Sequence, residues 1–260
     1  MLKKSNFAIA SISCCMVLAL IAGCSSDSGS SDFEPKRVVD LGALVTTDLP
    51  ERVWGKAFLS QMGFEGSNSF AVVPWTFQMG DRTVNGSNAY YTLFNHGGPH
   101  VDAPNHMGLG AGLDTYNLED FAGPAKVFDA RGYANGRTIP LSLFEGNVLA
   151  GDVVLIHTDF SPPETDEQLP EHATLTNEAA DYLASLPIRA FGTDGFSVDS
   201  LQDTSSPSIH DALLGNGIPA YEQLQNVGQL LTSERMYFVG APLNIKDGDG
   251  MMVRPVVFVY

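Results

Sequence analysis

The run His96-Gly97-Gly98-Pro99-His100-Val101-Asp102-Ala103-Pro104-Asn105-His106 constrains this chain more than any other part of it. Three of the six histidines and one aspartate fall within eleven residues, spaced 4, 2 and 4 apart. Gly97-Gly98-Pro99 cannot continue a helix, so His96 and His100 are not a helical i, i+4 pair. In one straight strand all four would share a face, but ten steps would hold His96 roughly 33 Å from His106. The chain must therefore bend at the Gly-Gly-Pro and again near Pro104, folding the side chains towards one point. Imidazole and carboxylate together form the ligand set that Zn²⁺, Mn²⁺ or Fe²⁺ takes at a catalytic site.

The same run resembles the hallmark of the metal-dependent cyclase family, H-x-G-T-H-x-D-x-P-x-H, which includes bacterial kynurenine formamidases and isatin hydrolases. It matches at every position but one: Pro99 stands where the family has Thr, removing a hydroxyl and a backbone N–H from the loop. The resemblance runs from Arg37 to Val259. It implies an α/β single domain with a mixed, largely antiparallel β core and flanking helices, the swivelling β/β/α fold. It also implies metal ligands at His96, His100 and Asp102, with His106 as general base/acid. The family carries a second histidine and, twelve residues later, a glutamate, and His210 and Glu222 stand twelve apart. Both are expected to complete the centre, with Asp102 bridging if two metals bind. Zinc and manganese are both acceptable to such a site, one or two per chain.

The reaction implied is hydrolysis of a C–N bond in a small amide, formamide or lactam, with ester or lactone cleavage close behind. A metal of this kind lowers the pKa of water towards ~7 and polarises the substrate carbonyl. Two other classes stay open: a lipoprotein that binds metal or ligand without turnover, and a cyclase or lyase using the same metal. By resemblance the protein pairs as a homodimer or higher homo-oligomer.

Residues 1–23 read as a targeting segment, with Lys3 and Lys4 ahead of an apolar run ending Leu20-Ile21-Ala22-Gly23-Cys24. This looks like a lipobox, with Cys24 lipidated and residues 24–36 forming a serine-rich tether to a domain over 37–260. Ser25 resembles an outer-membrane sorting signal, so the protein is expected in the bacterial cell envelope, touching membrane through its lipid alone. Cys14 and Cys15 leave with the signal, so the folded part holds no disulfide and its metal ligands are His and carboxylate. The net charge of −16 argues against nucleic acid as a partner.

Arg37 to Leu41, Lys126 to Asp129, Gly151 to Thr158, Ala190 to Asp194, Arg235 to Leu243 and Val253 to Val259 read as strands. Phe64 to Thr92 is aromatic and broken by Pro74 and Gly80, so strands and loops are expected there, and Trp75 and Phe77 are candidates for lining a substrate pocket. Phe196 and Ser197 lie in a G-x-D-x-x-S-x-D-like run that the resemblance places at the pocket wall. His157 reads as a satisfied strand histidine and His172 as a solvent-facing residue of a polar loop. Helices are expected from Thr176 or Asn177 to Leu186, over Ser208 to Leu214, and again from Pro219 through Glu222. Asp247-Gly248-Asp249-Gly250 reads as a turn that lacks the calcium-loop pattern.

Overall fold

The computed structural model describes residues 34–61, 63, 68–133, 136–161, 171–201 and 208–260. The targeting segment, Cys24 and the serine tether, Phe64, and most of the 161–172 loop lie outside the described residues. Among the described residues no helix is long and apolar enough to cross a membrane.

The strands are β1 (Arg37–Asp40), β2 (Ser69–Met79), β3 (Arg82–Thr92), β4 (His100–Asp102), β5 (Ala122–Asp129), β6 (Thr138–Ile139) and β7 (Val153–His157). They continue as β8 (Thr174–Leu175), β9 (Ala190–Thr193), β10 (Ala220–Glu222), β11 (Met236–Val239), β12 (Gly250–Met252) and β13 (Val256–Val259). The helices are α1 (Leu49–Trp54), α2 (Lys56–Gln61), α3 (Asn177–Ser185) and α4 (Ile209–Leu214). One sheet runs in the order β1-β13-β11-β5-β7-β9-β10-β4-β12. Its middle, β5 to β10, is parallel, and both flanks are antiparallel, so the core is mixed and largely antiparallel as expected.

β7 shows why the sheet is covered on both faces. Val153 and Leu155 enter a core with Val101, Tyr221, Phe238 and Val257. Their alternates Val154 and Ile156 enter a second core with Phe191, Leu183, Ile209 and Leu213, beneath α3 and α4. A strand apolar at every position belongs in the middle of a sheet buried on both sides. Thr176 caps α3 through its hydroxyl, which accepts from the Ala179 N–H at 3.2 Å, and Ser208 caps α4 by accepting from Asp211 at 3.3 Å.

The segment after Pro219 is the one expected helix that the structure replaces with a strand. Ala220 to Glu222 is buried on both faces, parallel to β9 and antiparallel to β4. Tyr221 is needed in one core and Ala220 in the other, an alternation that only a strand supplies. His172 is also misplaced by the sequence reading. It is buried, its Nε2 lies 2.9 Å from the Asp199 carbonyl, and its ring packs against Phe160 and Phe196.

β2 and β3 form a two-stranded ribbon of their own, paired in register from Ser69↔Thr92 to Met79↔Arg82. Trp75 lies directly across from Gly86, where a Cβ would come within 2.4 Å of the indole. Only a residue without a side chain lets the ring lie down on the opposite strand.

Candidate metal centre

The eleven-residue run bends where its composition requires. Gly98 has φ +138° and turns the chain, and a side chain there would also strike Leu49 at 2.8 Å. The run is extended only over β4, and from Pro104 it coils into a short 3-10 helix, Pro104–Met107, that carries His106 back. In β4 Val101 points into one core, so His100 and Asp102 point to the opposite face. β10 pairs with β4 in the register Glu222↔His100, which sets Glu222 beside them on that face. Helix α4, packed over the same face, brings His210.

The donor atoms converge without pairing off. His96 Nδ1 and Asp102 Oδ1 are 2.8 Å apart, yet both are buried and neither has a hydrogen-bond partner. His100 Nε2 lies 3.3 Å from Asp102 Oδ1 and 3.5 Å from Glu222 Oε2. His210 Nε2 lies 3.1 Å from Glu222 Oε1 and 3.4 Å from Asp102 Oδ2. Such spacings are the edges of a coordination polyhedron with ligand bonds of about 2.1 Å, roughly 2.9–3.4 Å for octahedral or tetrahedral geometry. The buried orphan atoms and the all-nitrogen-and-oxygen donor set fit a divalent cation. Two ligand groups are possible, His96–Asp102–His106 and His100–Asp102–Glu222, and they share Asp102.

The far side of the ring differs among the four histidines. His96 Nε2 faces Asp249 Oδ2 at 3.2 Å, His100 Nδ1 faces the Gly98 carbonyl at 2.7 Å, and His210 Nδ1 faces Asp199 Oδ2 at 2.9 Å. Metal-bound histidines almost always hand their second nitrogen to a carbonyl or carboxylate in this way. The His106 ring makes no hydrogen bond among the described residues. It is exposed at the mouth, its ring 4.4 Å from that of His96 and 5.2 Å from that of His210.

Charge is distributed accordingly among these groups. Burial pulls the His96 pKa down, but Asp102 and Asp249 outweigh it and raise it to about 10. Burial likewise opposes the charge on His210, and Asp102, Asp199 and Glu222 hold its pKa well above the usual imidazole range. Asp102, despite complete burial, is held well below the carboxylate range by His100, His210 and His96. Glu222 is lowered too, because the histidines outweigh burial and the nearby Asp102 charge. His106 moves the other way: partial burial of its ring lowers its pKa, with the His96 and His210 cations adding to the effect.

Asp249, which the sequence placed in a turn, and Asp199, equally open to a turn or to chemistry, both reach the cluster. Asp249 also accepts from Asn95 Nδ2 at 2.8 Å, and Gly250 behind it lets the strand run against His96, where a Cβ would fall 2.5 Å from the ring. Asp199 collects Ser208 Oγ and the Ile209 N–H as well as His210. The signal available in sequence was weak: an aspartate in a glycine-rich turn has many uses.

The four expected pocket residues are placed differently. Phe196 is fully buried against Trp54, with ring centroids 4.8 Å apart. The Ser197 hydroxyl donates to Glu222 Oε1 at 3.0 Å. Trp75 and Phe77 stand exposed on the β2–β3 ribbon, with their rings 5.7 Å apart. His157 is satisfied by Asp194 at 2.6 Å, as the sequence suggested. It lines a cleft of about 780 Å³ with Leu49, Pro99, Asp194 and Gln223. That cleft contains none of the converging donors.

A family model described as "putative cyclase" matches residues 39–200. The kynurenine formamidase of Salinibacter ruber is 31% identical over 188 residues, 70% of this chain and 85% of that protein. A second kynurenine formamidase, from Erythrobacter litoralis, is 31% identical over 64% of this chain and 74% of its own length. Among solved structures, isatin hydrolase A from Labrenzia aggregata bound to benzyl benzoate superposes with a TM-score of 0.64 at 25% identity. It covers 86% of this chain and 93% of that one. Isatin hydrolase A from Ralstonia solanacearum gives 0.65 at 23% identity, covering 86% and 92%, a likeness of fold.

Proposed function

The chain belongs to the cyclase family, and on that premise we propose that it is a metal-dependent hydrolase that opens the C–N bond of a small amide, formamide or lactam. The observation carrying this reading is the division among the histidines. His96, His100 and His210 are each fixed through the second ring nitrogen with one nitrogen turned to the carboxylates, while the His106 ring, at the mouth, makes no hydrogen bond among the described residues. A pure metal-binding protein has no use for that fourth imidazole.

His96, His100, Asp102, His210 and Glu222 would hold a divalent cation, zinc or manganese, which would supply Lewis acidity, lowering the pKa of a water to about 7 and polarising a carbonyl. The protein's own residues do the rest. His106, with its pKa lowered, is neutral at pH 7 and can accept a proton from a water at the mouth, then return it to the departing nitrogen. Ser197 and the Val198 N–H hold Glu222 Oε1 at 3.0 and 2.7 Å, so this carboxylate is fixed before substrate arrives. Pro99 is buried and its carbonyl accepts from Val253 at 2.9 Å, so the loop keeps its shape without the hydroxyl that threonine would bring.

Elemental analysis of chain purified without chelator, beside His100→Ala and His106→Ala, tests the reading. The parent should carry one or two equivalents of zinc or manganese and cleave aryl formamides or lactams. His100→Ala should lose metal, whereas His106→Ala should keep it and lose about 10²–10⁴ in turnover. A parent that stays metal-free after incubation with both ions would sink the proposal.

A further inference from the structure

The cleft that His157 lines holds none of the metal-centre donors, yet its walls carry polar groups set for a ligand. It lies at the carboxyl ends of the parallel strands β7, β9 and β10, where His157, Asp194 and Gln223 enter its wall. That end of the strands is where open α/β sheets take their ligands. Its volume of about 780 Å³ is that of a small-molecule pocket, and Leu49, Val53, Pro99, Phe160 and Leu224 give it an apolar lining.

Asp194 is a fixed anchor behind the His157 ring. Its Oδ1 accepts from the Thr158 N–H at 2.7 Å and the Thr158 hydroxyl at 2.6 Å. Its Oδ2 accepts from His157 Nδ1 at 2.6 Å and the Asp159 N–H at 3.2 Å. With Nδ1 donating, the neutral ring presents Nε2 as an acceptor, and that nitrogen makes no hydrogen bond among the described residues. Gly228, on the same wall, keeps it open: a Cβ there would fall 2.8 Å from Nε2.

Gln223 supplies a second unfilled acceptor. It is 3% exposed, its Nε2 donates to the Phe196 carbonyl at 3.2 Å, and its Oε1 is buried without a partner. A buried amide oxygen left unpaired is costly, and a ligand N–H would satisfy it. The backbone is also strained around this cleft. Of the four non-glycine residues with positive φ among the described residues, three line it: Asp159 at +58°, Gln223 at +60° and Asn226 at +59°. Such conformations gather at ligand clamps and active sites.

Charge narrows the occupant. Arg52 is held by Asp48 at 3.3 Å and Thr46 at 3.1 Å, and Asp194 by its four donors, which leaves the exposed Asp159 carboxylate to repel an anion. We propose that the cleft is a second binding site, for a neutral aromatic amine or primary amide whose N–H groups are taken by His157 Nε2 and Gln223 Oε1. Hydrolysis of an aryl formamide leaves an amine of this class, so the cleft suits the product of the proposed reaction. That last identification rests on the hydrolase reading, whereas the site itself does not.

The probe is 2-aminobenzamide, a neutral fluorescent molecule with both kinds of N–H donor, titrated into the full chain. It should bind with a Kd below about 1 mM and shift its emission to the blue. In chain labelled with ¹⁵N-histidine, the Nε2 resonance of His157 should move on titration while that of His106 stays. Gly228→Ala, which sets a methyl against Nε2, should weaken binding at least about tenfold with metal content unchanged. His157→Phe, which keeps a ring and removes the nitrogen, should do the same. A Kd above about 1 mM, a resonance shift at His106 in place of His157, or an affinity that both variants leave unchanged overturns the proposal. A chain that takes the probe at His157 yet never cleaves an aryl formamide keeps the site and counts against the hydrolase reading.

Discussion

Metal binding by this site should be strongly coupled to pH, because the ligands are protonated before the ion arrives. Asp249 and Asp102 raise the His96 pKa to about 10, so at pH 7 removing its proton costs about 4 kcal/mol. His210 is raised in the same direction by Asp102, Asp199 and Glu222. The carboxylates Asp102 and Glu222 are already ionised at neutral pH and release nothing. Loading the centre at pH 7 should therefore expel at least two protons, and affinity should rise about a hundredfold per pH unit. Isothermal titration of metal-free chain with zinc, repeated in buffers of different ionisation enthalpy, counts those protons directly. The signs also separate the two forms in thermal melts. A raised imidazole pKa stabilises the metal-free fold fully below the unfolded value near 6.5, and that contribution fades as pH climbs towards 10. The metal-loaded fold, with both rings already deprotonated, suffers no such loss, so the two forms separate by about 2.8 kcal/mol per pH unit over that interval. The Tm gap between the two should widen by roughly 5–10 °C per unit. Release of less than one proton, or a gap that narrows with rising pH, would refute the charge assignment and with it the carboxylate cage around His96.

Asp249→Asn keeps the shape of the turn but weakens the acceptor at His96 Nε2, and should lower metal affinity about 10–100-fold. A changed visible spectrum of the cobalt-loaded variant distinguishes this from loss of fold. Gly250→Ala drives a methyl to within 2.5 Å of the His96 ring, and should cost about 1–3 kcal/mol in denaturant melts and reduce metal occupancy together. Thr176→Ala removes the α3 cap and should cost about 1 kcal/mol with metal content unchanged. An unaltered melting curve would show that the helix does not depend on that hydroxyl.

What was legible in the sequence follows from how local the determinants are. Gly97-Gly98-Pro99 and Pro104 fix the bends around β4 through backbone sterics alone, so the gathering of His96, His100, Asp102 and His106 could be read directly. The resemblance singled out His210 and Glu222 by their twelve-residue separation, and the structure brings both into the cluster although the expected helix at Glu222 is a strand. A proline suits the first turn of a helix, but Pro219 is equally compatible with entry to a strand. Only the two cores claiming Ala220 and Tyr221 decide between them. His172 looked solvated because its neighbours in sequence are polar, while its neighbours in space are Phe160 and Phe196. Asp249 gives no local sign at all, since its partner His96 lies on the far side of the sequence. Trp75 and Phe77 were read as pocket residues from ring chemistry, which says nothing about how far a hairpin carries them.

The place of β4 in the sheet has a kinetic consequence. It is inserted between β10 and β12, partners that lie well over a hundred residues further along the chain. The parallel middle, β5 to β10, needs only neighbouring segments to meet, and the entropy of closing the long loop to β4 falls on the last step. On that order His100 and Asp102 should meet Glu222 only after the rate-limiting barrier, and a refolding arm that zinc accelerates would refute it. Zinc should leave the refolding arm of a chevron unchanged and slow the unfolding arm in proportion to its affinity. A cell would then have to deliver the ion to an almost finished protein, and once bound the ion would act as a latch on a door already shut.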